Sequence, residues 1–482
     1  MNFKKLLIII STLIIVLSFQ VNVFAFDAYD SYTYQLKGDK VEPVSSPTPF
    51  IIEKIIDNSY SDLGLISPED IFERDGKYYI VDSGKNELIV VDSKFGLIKK
   101  INQFELNEKV EKFSKPQGVY VKPNGDIFLA DTDNQRIVIF DKNYTFLKII
   151  GAPKSDVLKA DFKFYPRKLV VSEADRIFVV AREEFEGIME LNAEGKFIGF
   201  VGSNRVKVNL VEMFWKKILT KEQAAKLISF VPSEYSNISL DSEQFLYTVS
   251  SSLSESVKIK RMNPGGDDIL ARNALIGNNG DLDNKTIFVD IAYDDFGNYF
   301  ALDSSKGRIF CYDKQGNLLY VFGRTGSQKG TFQSPSSIIY SHEKLLITDN
   351  ATGKINIFSM TNYAMLINKA KREYEGGNDK ESLETWKSLL KYNSEFSLAF
   401  IQMGKIYLRN GDNINAMQCF KAGNYRGSVG EVNGYNQAFE QSRKAFLNKN
   451  LWLIFTIILF IILIIFGKKP LSKMIRNLRN KK

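Results

Sequence analysis

Residues 116–137, PQGVYVKPNGDIFLADTDNQRI, contain one complete structural unit. A short apolar run opened by Pro116 leads into Asn124-Gly125-Asp126. The strand after it ends at Asp131, and an acidic turn leads to a further strand beginning at Arg136-Ile137. Working outward, the same strand and turn recur as KYYIVDS, DIFLADT, RIFVVAR, FLYTVSS, NYFALDS and KLLITDN. Their marker positions are Asp82, Asp131, Ala181, Ser250, Asp303 and Asp349, spaced by 49, 50, 69, 53 and 46 residues. A further strand follows each of the regular markers, and Pro68, Pro116, Pro166 and Pro335 open preceding ones. Three to four short strands repeated six times predict a mainly β chain folded as a six-bladed β-propeller over 61–362.

The unit resembles the NHL repeat, and the second copy carries that resemblance best. The acid of the turn is expected to accept hydrogen bonds from loop amides and to pair with a base five residues on. Arg136, Arg308 and Lys354 stand at that place after Asp131, Asp303 and Asp349, whereas Glu87 follows Asp82 and the third and fourth copies lack the acid. These pairs are read as structural. The long interval holds an insertion, 207–234, with Val211, Phe214, Trp215 and Ile218 at helical spacing and Thr220 to Gln223 as a capping box. Phe214 and Trp215 are its candidate partner surface, against the plainer reading that they pack onto the blade.

From Tyr363 the apolar period becomes helical, and Gly377 to Gly411 and Trp386 to Phe420 both recur at 34 residues. That is the tetratricopeptide period, so a small TPR-like helical domain is expected over 363–447. Gly404 and Ala416 are small where two helices must approach. The two cysteines, Cys311 and Cys419, fall in different domains, so no structural disulfide is expected and both read as small apolar residues.

The ends of the chain are targeting sequence. Residues 1–25 read as a signal peptide, with Lys4-Lys5, an apolar run to Leu17, and Ala25 at the cleavage point; an uncleaved anchor is the alternative. An extended segment, 26–60, precedes the propeller. Residues 451–467, LWLIFTIILFIILIIFG, carry no charge and are read as one transmembrane helix. The tail 468–482 has seven bases and no acid, which places it in the cytoplasm and the rest outside. The formal charge of +8 resides in these ends: setting aside their nine bases takes 64 bases to 55, against 56 acids. A nucleic-acid groove is therefore not expected.

No nucleophile elbow, phosphate loop or cysteine ligand pair is present, and His342 is the single histidine, placed in a turn, which excludes multi-histidine zinc sites. Aligning the inner strands puts Asp70, Gly118, Lys168, Asn237, Asp290 and Ser337 at one level of the central channel. Two carboxylates and an amide there would suit a calcium-like divalent cation, as in lactonase propellers. Lys168 offers the competing reading, an ammonium that neutralises the carboxylates. No cofactor is otherwise expected.

The segment Phe26-Asp-Ala-Tyr-Asp-Ser-Tyr-Thr-Tyr34, the Pro-rich stretch that follows it and the insertion WKKILTKEQAAKLISFVP resemble bacterial exported NHL-repeat membrane proteins labelled gluconolactonase-like. The resemblance covers nearly the whole chain. It implies a cell-surface protein associated with carbohydrate import. The expectation is a membrane-anchored, non-enzymatic binding or scaffold module with a protein or glycan partner, transporter subunits among the candidates. The alternative is an extracytoplasmic metal-dependent lactonase or related hydrolase.

Overall fold

Strand alternation, with each repeat's second strand buried apart from at most its first residue, is what the computed structural model resolves into blades. It describes residues 29–37, 40–60, 62–158, 162–184, 186–202, 234–253, 257–271, 279–423, 440–448, 450, 451, 453 and 455–461. Three N-terminal strands, β1 (Tyr32–Lys37), β2 (Lys40–Ser45) and β3 (Phe50–Ile56), come first. The first blade is β4 (Pro68–Arg74), β5 (Lys77–Asp82), β6 (Glu87–Asp92) and β7 (Leu97–Ile101). A hairpin, β8 (Gln103–Leu106) with β9 (Lys109–Lys112), leads to the second blade: β10 (Gly118–Val121), β11 (Ile127–Asp131), β12 (Arg136–Phe140) and β13 (Phe146–Ile150).

The third blade is β14 (Pro166–Val171), β15 (Ile177–Ala181), β16 (Ile188–Leu191) and β17 (Phe197–Val201). The fourth has β18 (Tyr235–Leu240), β19 (Leu246–Ser250) and β20 (Ile259–Met262). The fifth is β21 (Phe288–Tyr293), β22 (Asn298–Asp303), β23 (Arg308–Asp313) and β24 (Leu318–Phe322), and the sixth contains β25 (Pro335–Ser341), β26 (Lys344–Asp349) and β27 (Lys354–Met360). The innermost strands contact one another in order, and β25 returns to β4, so six blades close a disc.

Two findings revise the sequence reading. The segment 26–60 does not simply precede the propeller: β3 pairs antiparallel with β27, Phe50 opposite Met360, and supplies the sixth blade's outer strand. Likewise β1 meets β24 at Tyr32 and Val321, and the β1–β2 hairpin extends the fifth blade. The turn pairs are also fewer than expected. Asp131 takes Ser114 N at 2.7 Å and Arg136 Nε at 2.8 Å as foreseen. Asp303 and Asp349 instead spend their oxygens on backbone amides, including Ile287 N at 2.9 Å and Gln333 N at 2.7 Å.

Arg308 turns away to Asp281, which also accepts from Tyr32 Oη at 2.7 Å, Tyr34 Oη at 2.5 Å and Lys306 Nζ at 2.8 Å. This buried acid fastens the N-terminal hairpin to the disc. Sequence reading did not find it, because the two tyrosines that mark it lie at the far end of the chain.

After β27 come α1 (Asn362–Glu375), α2 (Asp379–Leu390), α3 (Ser397–Arg409) and α4 (Asn413–Ala422), two hairpins turning at Gly377 and Gly411. A Cβ on Gly404 would lie 2.6 Å from the Phe420 ring, so only glycine lets α3 and α4 pack this closely. Tyr363, Ala364 and Ile367 of α1 share one core with Phe300, Leu345 and Phe358 of the last two blades. Cys311 is buried and Cys419 half-buried, both free thiols. Among the described residues no helix is long and apolar enough to cross a membrane. The expected signal peptide 1–25, almost all of the insertion 207–234 with Phe214 and Trp215, and part of the expected span 451–467 lie outside the described residues.

Phe50 is fully buried and stacks on Phe322 at 5.4 Å between ring centroids. Phe50→Ala is therefore expected to cost about 3–5 kcal/mol, read as a lowered denaturation midpoint; a loss below about 1 kcal/mol would show that β3 does not close the disc.

Candidate functional site

Five of the six inner strands share a local irregularity that decides what the channel contains. The register shifts between Pro68 and Asp70, Pro166 and Lys168, Tyr235 and Asn237, Phe288 and Asp290, and Pro335 and Ser337. A bulge re-aims the residue that follows it, and these five residues line one cavity. The sixth member, Gly118, has no side chain to offer. A Cβ there would lie 2.3 Å from Arg167 O, so the neighbouring blade excludes anything larger.

The ring is knitted together rather than open. Lys168 Nζ lies 2.5 Å from Asp70 Oδ1 and donates to Glu69 O at 3.2 Å. Ser337 Oγ reaches Asp70 Oδ1 at 3.0 Å and Asp290 Oδ2 at 2.6 Å. Backbone amides complete the carboxylates: Val119 N donates to Asp70 at 2.9 Å, and Ile338 N and Ile291 N each donate to Asp290 at 2.7 Å. Asn237 accepts from Ile238 N at 2.5 Å. Burial pushes the Asp290 carboxyl up to about 6, with Lys168 pulling it the other way and Asp70 adding to the rise.

These residues do not suit a divalent cation. A calcium-like ion takes six to eight oxygen ligands, whereas here an ammonium already sits against one carboxylate and a serine hydroxyl bridges the two. Among the described residues no three His, Cys, Asp or Glu side chains converge as a metal site. The arrangement can instead hold the floor of the channel together across five blades, through side chains of four and the Val119 amide of the second.

Above this floor the cavity has a volume of about 550 Å3 and opens on the face formed by the first turns of the blades. Phe72 and Tyr120 form part of its wall, their ring centroids 5.0 Å apart, and Tyr293 and Tyr340 join them. Glu73, Arg74, Asp75, Asp295 and His342 stand at the rim. His342 is the exposed turn residue expected, with Nδ1 2.7 Å from Ser341 Oγ. The same face receives α1: Asn298 Nδ2 donates to Asn368 Oδ1 at 2.9 Å, and Lys371 bonds Asn298. A second cavity of about 280 Å3 lies at this junction, sharing Tyr293 and Asp295 with the first. The aromatic wall was not foreseen, although Phe72 and Tyr120 occur two residues beyond ring members, the offset that returns a side chain to the same side of a strand.

Comparison with known proteins agrees with the blade unit. Residues 113–140 match the NHL repeat. Protein brain tumor of Drosophila melanogaster is 31% identical over 121 residues, which is 25% of this chain and 10% of that protein. The chain thus spans about a tenth of that relative's length. Virginiamycin B lyase from Staphylococcus aureus is similar over 65% of this chain and 100% of its own, at TM-score 0.42 and 11% identity. A Bacteroides thetaiotaomicron protein of unknown function is similar over 69% and 76%, at 0.41 and 12%. A putative gluconolactonase is similar over 62% and 90%, at 0.38 and 10%. The chain is a six-bladed propeller with an NHL repeat and a following helical region.

Two outcomes test the floor. Lys168→Met strips the buried ion pair of its cation and is expected to cost about 3–5 kcal/mol. Added calcium should restore part of that loss in the variant, while calcium and chelator leave the wild-type denaturation midpoint unchanged. For Asp290 the folded value is raised from 3.8 to about 6, so its contribution is fully present below about pH 4 and is lost as pH rises through about 6. Asp290→Asn should flatten that part of the stability profile in chemical denaturation at graded pH.

Proposed function

We propose that this protein is a binding or scaffold module anchored outside the cell membrane, accessory to carbohydrate uptake, with its ligand taken at the mouth of the propeller channel. The observation that carries the reading is the floor itself. Its carboxylates are already met by Lys168, Ser337 and backbone amides, while the cavity above keeps aromatic walls and a charged rim. Concave, partly apolar sites with a few polar groups are what small ligands occupy.

The remaining parts of the proposal rest on the sequence. The leader 1–25, the uncharged run 451–467 and the basic tail 468–482 support export with a single C-terminal span and a cytoplasmic end. The two helical hairpins, with Trp386 and Phe420 buried at equivalent places one 34-residue period apart, support a TPR-like stalk or docking platform for a neighbouring membrane protein such as a transporter subunit. A glycan or protein partner outside the cell fits this arrangement.

Intact cells carrying the full-length protein should lose the propeller to an impermeant protease, and the purified protein should hydrolyse no simple lactone with or without calcium. Calcium-stimulated lactone hydrolysis abolished by Asp290→Asn would replace this reading with the hydrolase, and full protease resistance would remove the surface assignment.

A further inference from the structure

The lining of the channel mouth has a charge balance that selects among ligands. Five carboxylates, Asp70, Glu73, Asp75, Asp290 and Asp295, face two bases, Arg74 and Lys168. Lys168 is committed to Asp70. Arg74 donates through Nε to Val121 O at 3.2 Å, and its guanidinium lies 5.5 Å from the centroid of the Phe72 ring. At the rim, Glu73 accepts from Gly76 N at 2.8 Å, and neither Asp75 nor Asp295 forms an ion pair among the described residues. An anionic ligand would meet this excess of negative charge with little to offset it.

The walls point the same way. Phe72 and Tyr120 pack with their rings tilted by 55°, and burial first, then the nearby Tyr120 phenol, pushes Tyr293 up to about 12. Tyr340 stacks on Phe300 at 6.1 Å, and its hydroxyl is buried without a partner among the described residues. Aromatic faces attract cations through their quadrupole, and rings gathered beside carboxylates are how proteins hold organic ammonium groups. The protein already supplies one such contact internally, in the seating of Arg74 on Phe72.

We propose that the channel mouth binds a small organic ammonium compound, its cationic group between Tyr293 and the Asp295 carboxylate and its body in the cavity above the Asp70–Lys168 floor. The proposal rests on the reading of this cavity as a ligand site and adds the ligand's chemical class. The floor carboxylates already have Lys168, Ser337 and backbone amides as partners, so the cationic end stays at the rim. Asp295 and Tyr293 also border the junction with α1, which places the bound cation beside the helical region.

The test is calorimetric titration of the full-length protein in detergent with choline, tetramethylammonium and spermidine. The neutral isostere of choline, 3,3-dimethylbutan-1-ol, and maltose serve as uncharged probes. At least one ammonium probe is expected to bind about tenfold or more tighter than the neutral alcohol, and to weaken about tenfold in Tyr293→Leu. Asp295→Asn, an exposed change that leaves folding intact, should weaken it similarly and reduce its dependence on salt. Equal binding of choline and the neutral alcohol, or no binding of any ammonium probe, overturns the ligand class. Maltose binding that Tyr293→Leu weakens would do so while leaving the cavity as a ligand site. Ammonium binding indifferent to both substitutions overturns the placement.

Discussion

A ring of blades has two ends, and its geometry holds only if they are joined. Here the joint is the antiparallel ladder between Phe50–Ile56 and Lys354–Met360, reinforced by Phe50 against Phe300 and Phe322 and by Tyr29 donating to Phe50 O at 2.5 Å. Everything at the axis depends on it. The channel floor links residues of the first, second, third, fifth and sixth blades, and Ser337 from the closing blade touches carboxylates from two others. An open ring would part those contacts and leave buried charges unpaired, a far larger penalty than the loss of one strand's hydrogen bonds.

Much of this was legible in the sequence because the blades repeat. In five blades the ring residue stands two places beyond an opening proline or aromatic residue, an offset kept by the same bulge, so aligning the inner strands puts Asp70, Lys168, Asn237, Asp290 and Ser337 at one level. What repetition does not record is a partner from outside the repeat. Asp281 draws Arg308 away from the turn acid because Tyr32, Tyr34 and Lys306 converge on it. The role of β3 was hidden for the same reason: its apolar run FIIEKII has no neighbour in sequence to reveal what it pairs with. The aromatic mouth was missed because each ring reads, alone, as ordinary strand core.

The axis of the disc separates two electrostatic environments. At the floor, charge is cancelled within a few ångströms by Lys168 and fixed amides, which leaves little for a mobile ion to gain. At the mouth, carboxylates remain in water beside aromatic faces. The first environment favours rigidity and the second exchange, so a binding site above a sealed floor needs no motion of the blades.

The order β25, β26, β27, β3 places the strand that leads into the helices inside its blade, flanked on both sides. Tension applied through the helical end would therefore load two ladders at once instead of peeling an edge strand. With α1 also sharing a core with the last two blades, the connection is mechanically stiff. A pull at that end would be carried into the disc as a whole, which suits a domain that must keep its orientation while its neighbours move.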